Sequence, residues 1–368
     1  MRWSFRAGGT CFMEAFLFLV LPAIAAGQER IGKSSESSPK ASAVAGADKE
    51  IRAINDAYDQ QRLQLERQRL ESLARLAERQ SPAAGAVTYE QLFRLAIANN
   101  LFIDAAKTAE IVVQKGSPSP TTLGLANFVK IIAECDRGEH EQALQTLRRV
   151  IDASDDAARN NAAKPTILTS EKIELCDLYY QRLIHSSKVD IAKQAFQLLK
   201  DRVRDPAMVE FVNNRLNRLN LVGAKAPAIR GTDLDGKPFD LADRKGKVTL
   251  VVFWASWCLP CASEIETLQQ ISEAYRSKGF QVVGINLDTL QDDGGKAERV
   301  LPNVRRFLID YNVTWPTLLN GDGEKDYAKA YGVTAIPSNT LIARDGTVVQ
   351  IDLVQKNLES TIALVTGE

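Results

Sequence analysis

The chain divides into two parts by pattern: an all-α N-terminal part built of repeat-like helix pairs, then a compact α/β domain of ordinary size. Three observations predict this. Residues 88 to about 220 carry helical periodicity and no strand-like alternation. Near Leu221-Val222-Gly223 the texture changes, and Gly- and Asp-rich turns begin. Beyond that point short apolar runs alternate with helical stretches and close on a hairpin.

Composition narrows the function classes. The 368 residues carry a formal net charge of zero, which argues against a broad electrostatic footprint for nucleic acid or an anionic membrane. Only two histidines exist, His140 and His185, far apart in sequence. No His/Cys cluster with zinc spacing can be written from them, so no metal and no cofactor is expected. Serine-hydrolase and metallohydrolase chemistry start from a poor inventory.

Residues 1–26 have the pattern of a signal peptide. Arg2 and Arg6 form a basic start, Ala15 through Pro22 a short apolar core, and Ala23-Ile24-Ala25 a small-x-small cleavage site. The core is shorter than the ~20 apolar residues that span a bilayer. The expected location is therefore extracytoplasmic, periplasmic or secreted, with a membrane tether if the segment is retained. Export leaves Cys135, Cys176, Cys258 and Cys261 where disulfides persist. Residues 27–46 are rich in Ser, Ala and Lys and are expected to be a flexible linker.

Residues 47–82 predict one long amphipathic helix. Ile51, Ile54, Tyr58, Leu65, Leu70, Leu73 and Leu76 form a narrow apolar stripe, and Ser81-Pro82 is expected to end it. The helix either docks on the next domain or pairs with a partner helix. Residues 83–222 form the helical domain. The stretch from Leu95 to Ala106 resembles the stretch from Ile132 to Leu144: a helix, a polar or Gly turn, then Ala on a second helix. Cys176 through Phe196 is a looser third unit. These units resemble the tetratricopeptide helix pair, with Ala105, Ala143 and Ala192 as the small contact residues and Asn100 or Gly138 in the turn. The resemblance implies a concave surface for a protein partner. A helical bundle that merely orients the next domain fits the pattern as well. Cys135 and Cys176 fall on first helices of two units, as either a disulfide or buried thiols.

In residues 223–368, Asp235-Gly236 predicts a hairpin turn between Ala228–Arg230 and Phe239–Leu241. Val248–Trp254 reads as a buried central strand, Cys261 to about Lys278 as a helix and Phe280–Leu287 as a second strand. The polar, Gly-rich stretch Asp288–Pro302, with Gln291 to Gly295 within it, predicts a loop before an inserted helix, and Val304–Tyr311 predicts a helix. Ser338–Ala343 and Thr347–Asp352 are strands, and residues 357–366 a closing helix.

The most specific signal is Phe253-Trp254-Ala255-Ser256-Trp257-Cys258-Leu259-Pro260-Cys261, where a buried strand hands over to a helix. Two cysteines at this spacing can close a small disulfide ring. At the helix start, free N–H groups and the helix dipole favour the Cys258 thiolate. Cys261, one turn in, would be the less exposed resolving thiol. Pro260 fits the first turn, where a missing N–H costs little. A zinc half-site lacks a second ligand pair, and Ala262 rules out a Cys-x-x-Cys-His haem site.

With these residues in view, 223–368 resembles the TlpA/ResA branch of the thioredoxin superfamily. The matching stretches are Gly223 to Pro227, Asp233 to Lys237, Phe253 to Cys261 and Tyr331 to Ser338. The implied fold class is α + α/β: an all-α helical-repeat-like domain, then a thioredoxin-fold domain. The resemblance implies that Pro337 is cis and faces the Cys pair, so that the Ile336 backbone pairs with an extended substrate. Trp257 and Pro260 would flank the same substrate. The chain departs from thioredoxin itself, with Val252 at the place of the buried Asp and Gly284 at that of the nearby Lys. The branch carries instead a Glu one turn after the second Cys, and Glu264 stands there as the expected proton carrier for Cys261.

The expected activity is dithiol–disulfide exchange with disulfide-containing protein substrates through Cys258-Leu259-Pro260-Cys261, as a reductant recharged by an upstream dithiol donor. An alternative is an adaptor whose helical part binds a partner and whose thioredoxin-like part only docks it. A peroxidase is disfavoured, because Trp254 through Trp257 offers no Thr before the first Cys.

Overall fold

The computed structural model describes residues 39–159, 169–290, 297–321 and 325–367. The expected signal peptide, residues 27–38 of the expected linker and the Gln291–Gly295 stretch lie outside the described residues. The described residues divide into two units between Asp59 and Gln60. Among the described residues no helix is long and apolar enough to cross a membrane.

Helix α1 (Pro39–Glu78) starts inside the segment expected to be linker. Proline suits a first turn, and the alanines that follow are strong helix formers, so composition alone misled here. Ser81-Pro82 opens α2 rather than ending α1: Ser81 takes the cap position and Pro82 the first turn. Leu70 and Ala77 are buried, whereas Ile51, Ile54, Tyr58 and Leu65 are exposed.

Six helices then form three hairpins: α2 (Pro82–Ala98) with α3 (Phe102–Lys115), α4 (Pro120–Asp136) with α5 (His140–Arg159), and α6 (Thr169–His185) with α7 (Val189–Arg202). Each turn holds one residue in the left-handed region: Asn100, Gly138 and Ser187. In each hairpin a fully buried alanine stands at the same offset from that residue, Ala105, Ala143 and Ala192. The helix pairs are therefore in register, and these alanines are unevenly spaced in sequence because α5 is longer than α3 and the connection after it is longer too. Cys135 on α4 and Cys176 on α6 are free thiols, and burial pushes both up to about 12.

Helix α8 (Pro206–Leu219), capped by Asp205, leads into the α/β domain. A small hairpin pairs β1 (Arg230–Thr232) with β2 (Pro238–Asp240), so the first strand starts later and the second earlier than expected, with Asp235-Gly236 between them. The main sheet has the order β5-β4-β3-β6-β7. Strands β3 (Val248–Trp254), β4 (Phe280–Asn286) and β5 (Thr317–Leu319) run parallel. Strand β6 (Ser338–Ile342) pairs antiparallel with β3, and β7 (Val348–Ile351) pairs antiparallel with β6. Helices α9 (Leu259–Tyr275), α10 (Ala297–Asp310), α11 (Tyr327–Ala330) and α12 (Gln355–Thr366) complete the domain. The layout matches the predicted helical part followed by a thioredoxin-type α/β part.

Strand periodicity sorts the sheet into two faces. Leu250, Val252, Trp254 and Val282 pack in one buried cluster with α9, α10 and α12. Val251, Phe253, Val283 and Ile285 belong to the cluster that runs through the helical domain. The two domains thus share a core.

One side chain fastens them. Arg218 of α8 is only 1% exposed. It donates to Tyr331 O at 3.0 Å, Thr340 Oγ1 at 2.8 Å, Ser338 Oγ at 3.0 Å and Asn339 O at 2.6 Å. It also grips the Asp352 carboxylate through Nη2 at 2.8 Å and Nε at 3.3 Å. The Tyr180 hydroxyl of α6 donates to the same carboxylate at 3.2 Å. Burial pushes the Asp352 carboxyl up, and Arg218 outweighs it, so the group lies below the usual carboxylate range. Gly332 lies at φ 62°, and a Cβ there would stand 3.1 Å from the Arg218 nitrogen. Glycine is what lets α8 approach this loop.

Candidate functional site

Strand β3 is buried along its whole length between β4 and β6, as its run of apolar residues, interrupted by Thr249 alone, requires. Its C-terminal end delivers Ala255-Ser256-Trp257 to the start of α9. Cys258 occupies the N-cap, and its Sγ accepts from the Cys261 N–H at 3.2 Å. Cys258 and Cys261 are joined as a disulfide. Their side chains are 5% and 3% exposed, while Trp257 and Leu259 are 49% and 81% exposed. Pro260 is exposed on the first turn of the helix. The sulfur pair therefore lies just beneath a surface formed by its own loop.

That loop is held from β4. Asp288, 5% exposed, accepts from the Ser256 N–H at 2.7 Å and from the Ser256 hydroxyl. Buried Asn286 donates to the same carboxylate at 2.8 Å. The sequence reading left Asp288 at the edge of a polar loop. The only local hint was its place directly after a buried strand.

The Ile336–Pro337 bond is cis. Ala335 and Pro337 are exposed and Ile336 is half-buried. Among the described residues, no hydrogen bond engages the N–H or C=O of Ala335 or Ile336. Glu264 sits half-buried on α9, and burial raises its carboxyl above the ordinary glutamate value. A cavity of about 20 Å³ is bordered by Cys261, Glu264, Pro337 and Trp315, among others. The indole N–H of Trp315 is buried there without a partner. Sequence reasoning did not single out Trp315, because an isolated aromatic residue before a three-residue strand carries no pattern.

The departures from thioredoxin have a steric counterpart. Val252 and Gly284 are paired across β3 and β4. A Cβ at Gly284 would stand 2.8 Å from Thr317 Oγ1 and 3.1 Å from the Trp254 indole nitrogen. No longer side chain fits at that position without rearrangement.

Residues 221–364 match the Redoxin family. A thiol-disulfide oxidoreductase ResA from Bacillus thuringiensis subsp. konkukian is 32% identical over 129 residues, covering 35% of this chain and 68% of the relative. The chain belongs to the ResA thiol-disulfide oxidoreductase family. The ResA of Bacillus subtilis is 30% identical over 129 residues, covering 35% of this chain and 65% of its own. Among solved structures, the thioredoxin domain of a thiol-disulfide oxidoreductase from Bacteroides vulgatus is 29% identical, covers 39% of this chain and 97% of its own, and has a TM-score of 0.35. A thiol:disulfide interchange protein from Chlorobium tepidum is 28% identical, covers 39% of this chain and 96% of its own, with a TM-score of 0.33. The ResA family likeness falls on the α/β domain, and the chain is a thiol-disulfide oxidoreductase. Among the described residues no three potential metal-ligating side chains are grouped.

Proposed function

We propose that this chain is an exported reductant of protein disulfides, acting through Cys258-Leu259-Pro260-Cys261. The observation that carries the reading is the Cys258–Cys261 pair at the start of α9, beside exposed Pro337 and half-buried Glu264. In the reduced protein the Cys258 thiolate attacks one sulfur of a client disulfide. A mixed disulfide forms, and the other client sulfur leaves as a thiolate. Cys261 gives its proton to the Glu264 carboxylate and attacks Cys258 Sγ, releasing the second client thiolate. The proton passes to a leaving thiolate. The client gains two electrons, and the enzyme returns to its disulfide, to be reduced again by an upstream dithiol.

Glu264 suits the acceptor role because burial brings its carboxyl closer to neutral pH. Trp257 and Pro260 form the contact surface beside the sulfurs. The unpaired backbone of Ala335 and Ile336 suits pairing with an extended client segment. Export rests on the basic start, apolar core and small-residue site of residues 1–26. N-terminal sequencing of the mature protein is expected to begin near Gly27.

The reductant reading is tested with the reduced full chain and insulin as a disulfide-bridged protein. Wild type should release insulin thiols. Cys258→Ser should release none, and Cys261→Ser should accumulate a one-to-one mixed disulfide. A reduced wild type that leaves insulin intact would overturn the reading.

A further inference from the structure

A second cavity, of about 190 Å³, lies where the two domains meet beside the Pro337 loop. It shares Glu264, Pro337 and Ser338 with the small cavity behind Cys261. It is an order of magnitude larger than the ~15 Å³ that holds a single water. Its far wall belongs to the helical domain. Asp177, Gln181 and His185 line it from α6, spaced by four so that they share one helix face, and Arg215 lines it from α8.

The chemistry of that wall is polar but balanced. Arg215 is paired with Asp177, and its Nη1 donates to Thr334 Oγ1 at 3.3 Å. Arg218 is paired with Asp352. Burial pushes the His185 imidazole down, which favours its uncharged form. Exposed Gln181 donates to Asp177 at 2.8 Å, which leaves its carbonyl oxygen available. The wall thus offers uncharged donors and acceptors, and the adjoining Ala335–Ile336 backbone is unpaired.

From this juxtaposition we infer that α6 forms one wall of the client site, and that Gln181 and His185 are specificity-determining residues for an extended, uncharged polypeptide segment flanking the attacked cysteine. The inference rests on the exchange reading of Cys258–Cys261. A client strand paired along Ile336 runs into the cavity, where its neighbouring residues meet α6. A small disulfide reaches Cys258 without touching this wall.

The test uses the reduced full chain with three substrates: a disulfide-bridged peptide with Ser- and Gly-rich flanks, the same peptide with Lys flanks, and bis(2-hydroxyethyl) disulfide. Gln181→Glu and His185→Glu are compared with wild type, with melting temperature confirming that each is folded. Each variant should lower the ratio of kcat/KM for the neutral peptide over the small disulfide by about tenfold, the scale of one mispaired polar contact. The loss should appear in KM. The Lys-flanked peptide should be favoured by the variants over wild type. Parallel losses on all three substrates, or no change in flank preference, would overturn the role of α6. A wild type that reduces none of the three sinks the exchange reading, and this inference with it.

Discussion

Replacing Arg218 by Met removes the guanidinium and keeps most of the aliphatic bulk. Six hydrogen bonds to the α/β domain are lost, two of them to Asp352. The carbonyls of Tyr331 and Asn339 lose a donor, and among the described residues the Asp352 carboxylate keeps the donors Tyr180 and Ser338. Breaking a buried pair by removing one partner costs about 3–5 kcal/mol, and the partial exposure of Asp352 places this case near ~3 kcal/mol. The assay follows from where the chromophores lie. Apart from Trp3, the tryptophans are Trp254, Trp257 and Trp315, all in the α/β domain, whereas most helix lies in the other. Urea unfolding followed by tryptophan fluorescence and by far-UV circular dichroism should coincide in wild type, because the domains share a core. In Arg218→Met the two transitions should separate. The pH dependence gives an independent sign. Arg218 holds Asp352 below its unfolded value, so the pair stabilises the protein above the ordinary aspartate range. That contribution is lost as pH falls through the lowered value. The wild-type advantage should therefore be full at neutral pH and shrink in acid. Asp352→Asn added to Arg218→Met should recover part of the loss, since the stranded charge goes with it. A loss under ~1 kcal/mol, with coincident transitions and an unaltered pH profile, would show that the pair does not fasten the domains.

Gly332→Ala puts a Cβ at φ 62° against the Arg218 backbone and should cost about 1–3 kcal/mol in urea unfolding. Asp288→Ala frees the Ser256 N–H and hydroxyl, and insulin reduction should slow while α-helix content stays constant by circular dichroism. Glu264→Gln should slow resolution of the mixed disulfide by about tenfold or more, a modest share of the 10²–10⁴ available to general acid–base catalysis. The same variant should be more stable than wild type at neutral pH. Burial raises the folded value of Glu264, so its contribution is present below the unfolded value and is lost as pH rises through the folded one. Thermal melts at pH 4 and pH 8 check the sign, with the larger gain expected at pH 8.

What the sequence made legible was local. Val248–Trp254 is apolar apart from Thr249 because that strand is covered on both faces, and the Cys pair follows after three intervening residues. The turns of the helix pairs showed in Asn100 and Gly138 because a left-handed residue favours Asn and Gly. Ser187 takes the same conformation and carries no such mark, which is why the third unit looked looser. Strand β5 is three residues long, too short for any alternation to register. The polar contacts that hold the site were the least legible. Asp288 reaches back 32 residues to Ser256, and Arg218 reaches forward 134 residues to Asp352. A single charged residue on an amphipathic helix has no local signature that separates a solvated face from a buried anchor. Yet that anchor decides how the helical domain relates to the chemistry. A linker would have left the Pro337 loop as free as in an isolated domain. Arg218 binds Tyr331 before that loop and Ser338 and Asn339 after it, so the helical domain shapes the surface a client must meet.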